Sequence, residues 1–497
     1  MEHAAPPSRP TFAAGSRLFV RIVAVAHAAA FASAWVQADG LIGPSGILPA
    51  GPYFAVVRGQ LGRMAWYDAP SLCWIFGTGR FIGVLCALGV GLSALLFAGF
   101  AQPLCLALLW ACYLSLVSAG QIFFDFQWDA LLLECTVLGM LLVPWTLRRA
   151  RDPYDPPPLA RYLVWWLLFR LMFLSGAVKL TSGDPTWRHL TALTFHYQTQ
   201  PLPTPVAWYA HHLPGWFQAV SCALMFAIEL GAPLCIPAPR AVRHAGALAL
   251  ALLQLLIAVT GNFAFFNLLS LGLCLTCLDD GWWRARRWPV GEPARDVAGH
   301  ASRGVPARAA ALRWFAAIYV GVTFFQASAE FSANAARSPL VRAVEAAIGP
   351  LQSFNNYGLF RVITVERPEL VIEGSDDGHD WREYALPHKP GDLSRRPDWV
   401  APYQPRLDWQ LWFAALDSTE SSPWVGTLCE RILRGSPAVL GLFSRNPFPD
   451  HPPHYLRVVR YRYEFTDAEG HARNGNWWRR TPTDFYIPAV TLTPEPR

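Results

Sequence analysis

The sequence places ionisable side chains inside long apolar stretches, where a charge is costly. At the centre of a membrane helix, such a side chain costs about 2.5–3.5 kcal/mol and therefore needs a partner or a task. The clearest cases are Glu134, Arg170 and Glu229. Arg170 lies half-way along its stretch and Glu134 about 7 Å from the outer end of its own, so an ion pair between them is possible, with Glu229 as a competing partner. The pattern leaves open whether these charges lock helices together or contact a substrate.

Further polar side chains lie where the apolar stretches end. They are Asp125, Asp129, Lys179, Asp184, His196 and Gln200. The two aspartates would share one face of a helix that begins early, although an aromatic belt at the membrane surface explains the rings around them. A lysine beside a hydrophobic mouth can lose its proton and act as a general base. A loop that is merely solvated does not need this combination of groups.

Short motifs do not point to an enzyme. Gly77, Gly79 and Gly83 miss the spacing of a dinucleotide-binding turn. The histidines at 211–212 and at 451 and 454 lack partners at known metal-ligand spacings. We therefore predict no catalytic residue, no metal and no cofactor.

The composition indicates a membrane protein. The chain has 497 residues, of which 53% are hydrophobic and 15% charged, and its mean hydropathy is +0.24. Soluble domains average about 25% charged residues, so this chain cannot cover a surface that faces water on all sides. High apolar content excludes disorder, and ten cysteines are too few for a disulfide scaffold. No basic run with interleaved aromatic residues indicates nucleic-acid binding.

Nine stretches approach the length of about 20 apolar residues that a membrane helix needs. They cover residues 17–37, 80–100, 103–123, 129–147, 159–180, 214–236, 243–260, 263–278 and 311–331. Sixteen basic residues fall in the connections on one side and five on the other. Connections that are rich in basic residues tend to remain in the cytoplasm. This asymmetry predicts a cytoplasmic N-terminus and an extracytoplasmic C-terminal region. A cleaved signal peptide ending near Ala34 is the alternative for the first stretch.

After residue 350, short alternating runs replace the long apolar ones, a pattern typical of strands. We expect strands at 360–365, 370–373, 381–386, 455–465, 472–480 and 485–492, and helices at 405–416 and 424–433. The predicted fold is a polytopic α-helical membrane domain at 1–331 with about nine transmembrane helices. A β-rich, sandwich-like extracytoplasmic domain with a helical insertion follows at 332–497.

Several long strings resemble the lipase maturation factor family. They include NNYGLFR at 355–361, PRLDWQLWFAAL at 405–416, FQWD at 126–129, SGD at 182–184 and HYQTQPLP at 196–203. The resemblance covers most of the chain from about residue 121 to about residue 480. Tyr403 stands where the family has a histidine, so no function is assigned to that position.

The resemblance implies a membrane protein that helps secreted lipases reach their active form, in eukaryotes at the endoplasmic reticulum. The exported part has no N-x-S/T sequon and nearly all basic residues are arginine, which favours a bacterial homologue in the inner membrane. We expect a folding factor that binds its client without catalysis. The expected contact residues are Arg406, Asp408, Trp409, Trp412 and Phe413, since apolar anchors beside a few polar groups suit reversible binding.

Two alternatives stay open at this point. The helix at 405–416 can instead form the core of its own domain, with Arg406 and Asp408 as an internal pair. The layout of the chain is also similar to that of vitamin K-dependent carboxylases. In that case Lys179, His196, Asp125 and Asp129 would act on a lipid or a quinone-linked substrate.

Overall fold

The computed structural model describes residues 10–150, 153–290, 305–331 and 338–492. The first three ranges form a bundle of α-helices. These helices are α1 (Ala13–Ile42), α2 (Ala50–Leu61), α3 (Ala65–Asp68), α4 (Cys73–Phe76), α5 (Arg80–Phe97), α6 (Gln102–Gly120), α7 (Gln127–Leu142), α8 (Pro158–Thr181), α9 (Pro185–Arg188), α10 (Ala192–Thr199), α11 (Pro205–His211), α12 (Gly215–Phe226), α13 (Arg240–Thr260), α14 (Phe266–Leu275), α15 (Asp280–Ala285) and α16 (Val305–Ala329). The predicted domain boundary adjoins residues 332–337, which lie outside the described residues.

Seven helical spans in the described ranges are long and apolar enough to cross a membrane. They are Ala13–Ile42, Arg80–Phe97, Gln102–Phe124, Pro158–Thr181, Gly215–Cys235, Arg240–Thr260 and Ala307–Ala329. The other two predicted stretches form the shorter helices α7, with 16 residues, and α14, with 10. Residues 261–265 separate α13 from α14, so α14 extends only about 15 Å. The polytopic helical fold is confirmed, and the described residues contain seven full-length spans where about nine were predicted.

Helix α1 is the central element of the bundle. It packs against α5, α6, α7 and α14, and many of its side chains are fully buried. Its close contact with α5 depends on Gly89, where an added Cβ would lie 2.3 Å from the Phe31 ring. With 30 residues, α1 reaches from one end of the bundle to the other.

One antiparallel sheet forms in the C-terminal range. Its strands are β1 (Arg367–Ser375), β2 (Arg382–Glu383), β3 (Tyr455–Phe465) and β4 (Trp478–Val490), in the order β2-β1-β3-β4. Among the described residues it has no second, facing sheet, so the sandwich is reduced to a single layer. The predicted strand at 360–365 is irregular, and those at 472–480 and 485–492 are replaced by the single strand β4. Pro482 lies in β4 without interrupting it, because an edge strand needs no N–H at every position.

The helical insertion is present between β2 and β3. The C-terminal helices are α17 (Pro339–Ile348), α18 (Arg406–Leu416), α19 (Trp424–Leu433), α20 (Pro437–Leu440) and α21 (Ala468–Asn474). Helix α18 packs on β1 and also on the turn Gln121–Phe124 of the bundle, while α20 packs on α1. The insertion is therefore a layer between the sheet and one end of the bundle.

Candidate functional site

A buried ion pair joins the two halves of the chain. Arg406, in the first turn of α18, donates to both carboxylate oxygens of Asp129, in the first turn of α7, at 3.0 Å each. It also donates to the carbonyl of Phe123 at 2.7 Å and lies 3.5 Å from the centre of the Phe124 ring. The hydroxyl of Tyr113 donates to Asp129. Both charged side chains are almost completely buried. The bidentate hydrogen bonding between them therefore has to offset the cost of removing both charges from water.

The predicted client-contact residues do not form an exposed surface. Asp408 accepts hydrogen bonds from the backbone N–H groups of His388 and Lys389 and does not pair with Arg406. Trp409 packs 4.6 Å from Trp128 of the bundle. Helix α18 is covered because it lies between the sheet and the bundle and packs on both.

The remaining two predicted contact residues differ from each other. Trp412 is buried and its indole N–H donates to the carbonyl of Thr199 at 3.0 Å. Phe413 is 44% exposed and is the only one of the five that a client could reach. Four of the five candidate residues are therefore buried, as expected if this helix forms part of a packed core.

A second buried cluster surrounds Glu134 on α7. Its carboxylate pairs with Arg170 of α8 at 2.5 Å. The hydroxyl of Tyr319 donates to one carboxylate oxygen, and the hydroxyl of Tyr357 and the amide of Asn355 donate to the other. Arg170 in turn donates to the backbone carbonyl of Asn355 at 2.7 Å. Because Asn355 and Tyr357 belong to the C-terminal range, this cluster is a second joint between the halves.

A third cluster was not found from the sequence. Arg367 of β1 is fully buried and donates to the backbone carbonyls of Gln198, Gln200 and Pro201. Its charge is balanced by Glu369, which also pairs with Lys389 at 2.7 Å. Backbone carbonyl acceptors cannot be recognised from residue types, so only the alternation that predicts β1 indicated this region.

A cavity of about 360 Å³ lies in the bundle near these joints. Most of its lining is apolar, and at one side Lys179 of α8 donates to both carboxylate oxygens of Glu229 at 2.8 and 2.7 Å. Glu229 lies on a single π-helical turn, Ala227–Gly231, a feature that often marks functional sites. Gly176 permits this approach, because an added Cβ there would lie 3.1 Å from Cβ of Glu229.

His196 also lines this cavity, on α10. Its ring packs against Phe360 with 4.9 Å between ring centres. Desolvation, and to a smaller degree the Lys179 ammonium, lowers the pKa of His196 to about 4. The imidazole is therefore neutral at physiological pH.

The other predicted polar residues lie apart from the cavity. Asp184 caps α9 and accepts from the backbone N–H of Ile363 at 2.7 Å, which ties the C-terminal range to the bundle. Gln200 donates to the carbonyl of Thr260 at 2.7 Å. Asp125 is exposed and precedes α7. Since α7 begins at Gln127, Asp125 does not share a helical face with Asp129.

The fold and its joints define a multi-pass membrane protein whose C-terminal half is fixed to one end of a helical bundle. Residues 14–285 match the lipase maturation factor transmembrane domain, and residues 353–488 match the lipase maturation factor C-terminal domain. The chain belongs to the lipase maturation factor family, as the sequence strings predicted.

Named relatives match over nearly the whole chain. Human lipase maturation factor 2 is 37% identical over 96% of this chain and 83% of its own length. The chicken lipase maturation factor 2 is 36% identical over 98% and 82%. Mouse lipase maturation factor 1 is 32% identical over 96% and 87%. No solved structure matches the chain.

Proposed function

We propose that this protein is a membrane-anchored maturation factor that binds secreted lipases on the extracytoplasmic side and acts without catalysis. The match of both halves to lipase maturation factor domains carries the proposal. The buried charges support a role without catalysis, because the pairs Glu134–Arg170 and Asp129–Arg406 both serve to hold the two halves together. A client would then meet a rigid C-terminal half that is held at the membrane surface.

The proposed orientation places the N-terminus in the cytoplasm and the C-terminal half on the other side. Arg17, Arg21 and Arg149 lie around one cleft beside the start of α1. At the opposite end of α1, Gln37 bonds with the backbone of Gln404 and Arg406 in the C-terminal half. The basic residues and the C-terminal half thus lie at opposite ends of the bundle, which supports this orientation. The membrane would be the endoplasmic reticulum in a eukaryote and the inner membrane in a bacterium.

A protease-protection experiment tests the orientation. In sealed vesicles with the cytoplasmic face outward, an epitope at the C-terminus should resist protease until detergent is added, whereas an epitope at the N-terminus should be lost at once. Digestion of the C-terminal epitope in intact vesicles would contradict the proposal.

Exposed apolar side chains beside β4 offer a client contact that replaces the buried face of α18. Leu416 and Phe485 are 41% and 57% exposed and line one shallow groove with Arg460. Pro482 and Pro488 lie along β4 and cannot donate backbone hydrogen bonds. Proline on an edge strand discourages the addition of a further strand, so we expect the client to be held through side chains.

The groove can be tested with paired serine substitutions in the full-length protein. Leu416→Ser together with Phe485→Ser should lower both the lipase that co-purifies and the lipase activity that is secreted. Trp399→Ser is the matched control, since Trp399 is 57% exposed in the same half but does not line this groove. If the double variant retains wild-type levels of both readouts, this contact surface is wrong.

A membrane enzyme is the second candidate, and the cavity is the observation that favours it. The predicted base, Lys179, donates to both oxygens of Glu229. This arrangement suits a structural cation better than a free base. Full lipase maturation by Lys179→Ala would argue against the enzyme.

A further inference from the structure

The cavity beside Lys179 is lined in part by two helices that are long and apolar enough to cross a membrane. Its rim carries Phe217 of α12 and Leu256 and Val259 of α13, which are all partly exposed. Both helices belong to spans long enough to cross a membrane. Exposed apolar side chains on such helices face lipid chains, so the cavity continues into the hydrocarbon region. Its volume of about 360 Å³ lies in the usual range of ligand sites, about 300–1,000 Å³.

The polar groups that border the cavity carry no net charge. Lys179 and Glu229 neutralise each other, and Asn267 donates to Gln254 at 2.9 Å. The imidazole of His196 is neutral, and among the described residues its ring nitrogens have no hydrogen-bond partner. His196 therefore keeps a donor and an acceptor for a ligand.

We propose that the cavity binds one neutral lipid, with its chain between α12 and α13 and a hydroxyl or carbonyl oxygen hydrogen-bonded to His196. An anionic headgroup would compete with Glu229 for Lys179, and a cationic one would compete with Lys179 for Glu229. Either exchange leaves a buried charge without its partner, which is strongly unfavourable. A neutral oxygen avoids this cost. The inference goes beyond the proposed function and does not depend on which client is bound.

Photolabelling of the full-length protein in nanodiscs tests this site. The probe is a monoacylglycerol that carries a diazirine in its acyl chain. It should label peptides that line the cavity, and unlabelled monoacylglycerol should compete while phosphatidylglycerol should not. Equal competition by phosphatidylglycerol would overturn the proposal, because it would mean that the cavity only takes up surrounding lipid.

Two matched pairs of variants locate the ligand. Ser221→Phe fills the cavity from α12 and should abolish labelling, whereas Val220→Phe, on the neighbouring exposed position, should retain it. His196→Leu should weaken competition by about three- to tenfold, the value of one hydrogen bond, and His189→Leu on an exposed loop should not.

The readout is independent of lipase maturation, so its failure is distinguishable from failure of the proposed function. If Ser221→Phe does not fold, the His196 pair still decides the question. Unchanged competition in His196→Leu would refute the proposed hydrogen bond, and unchanged labelling in a folded Ser221→Phe would refute the site.

Discussion

The buried ion pairs Glu134–Arg170 and Lys179–Glu229 of the helical bundle differ in what surrounds them. Around Glu134 and Arg170, three further side chains donate to the carboxylate and a backbone carbonyl accepts from the guanidinium. Lys179 and Glu229 border an open cavity instead. A charge enclosed by fixed donors has a structural role, whereas a neutralised pair beside a cavity also limits which ligands the cavity accepts.

The enclosed pair should give the largest loss of stability when it is broken. Glu134→Gln leaves the Arg170 guanidinium buried without its counter-charge, so we expect the free energy of unfolding to fall by about 5 kcal/mol. Thermal unfolding and size-exclusion chromatography in detergent measure this loss. Glu345→Gln on the exposed face of α17 is the control and should behave as wild type. A stable Glu134→Gln protein would contradict the structural reading of this cluster.

Breaking the ion pair between Arg406 and Asp129 should give the next largest loss of stability. Arg406→Met leaves Asp129 buried and unpaired, but Tyr113 and the N-terminal turn of α7 still stabilise the carboxylate. We therefore expect a smaller loss, about 3 kcal/mol. Limited proteolysis should cut the C-terminal half faster than in wild type.

The double variant Arg406→Met with Asp129→Leu supplies the control for this joint. Removing both charges of a buried pair costs less than removing one, so the double variant should recover part of the lost protease resistance. No recovery would mean that Arg406 acts mainly through its bonds to Phe123 and its contact with the Phe124 ring.

Breaking the pair Lys179–Glu229 beside the cavity should cost less stability than breaking either of the other two ion pairs. In Lys179→Met, the Glu229 carboxylate loses its counter-charge at the border of a cavity and not inside a closed set of donors, so we expect a smaller loss, about 1–2 kcal/mol. The same variant should change lipid labelling, since it leaves a net negative charge beside the ligand. Thermal unfolding compared directly with Glu134→Gln checks the ranking. Equal losses would remove the distinction between the two pairs.

Local periodicity was enough to predict much of the C-terminal half. Helix α19 and strand β3 have the predicted bounds, and α18 begins one residue later than expected. Position along the helices also indicated that Glu134 and Arg170 could meet. These features depend on neighbours in sequence or on depth in a membrane, both of which can be read from one chain.

The joints could not be predicted in the same way. Arg406 and Asp129 are 277 residues apart, and nothing local states that α18 lies against the bundle. The apolar face of α18 therefore looked equally suited to a client and to a core. Similarly, the alternation that predicts β1 does not show that Arg367 ends against loop carbonyls. Tertiary packing decides such contacts.

The smallest expected loss of stability comes from substituting Phe413. Comparing it with Trp412 contrasts an exposed with a buried side chain on the same helix. Phe413→Ala removes a ring that is 44% exposed, so the free energy of unfolding should fall by less than about 1 kcal/mol. Its buried neighbour Trp412 donates to the Thr199 carbonyl, and Trp412→Ala should cost about 3–5 kcal/mol. Thermal unfolding of the two variants side by side measures the contrast.

If Phe413→Ala leaves stability intact but lowers lipase capture, this exposed edge of α18 belongs to the client contact. If capture is also unchanged, α18 serves only to join the sheet to the bundle.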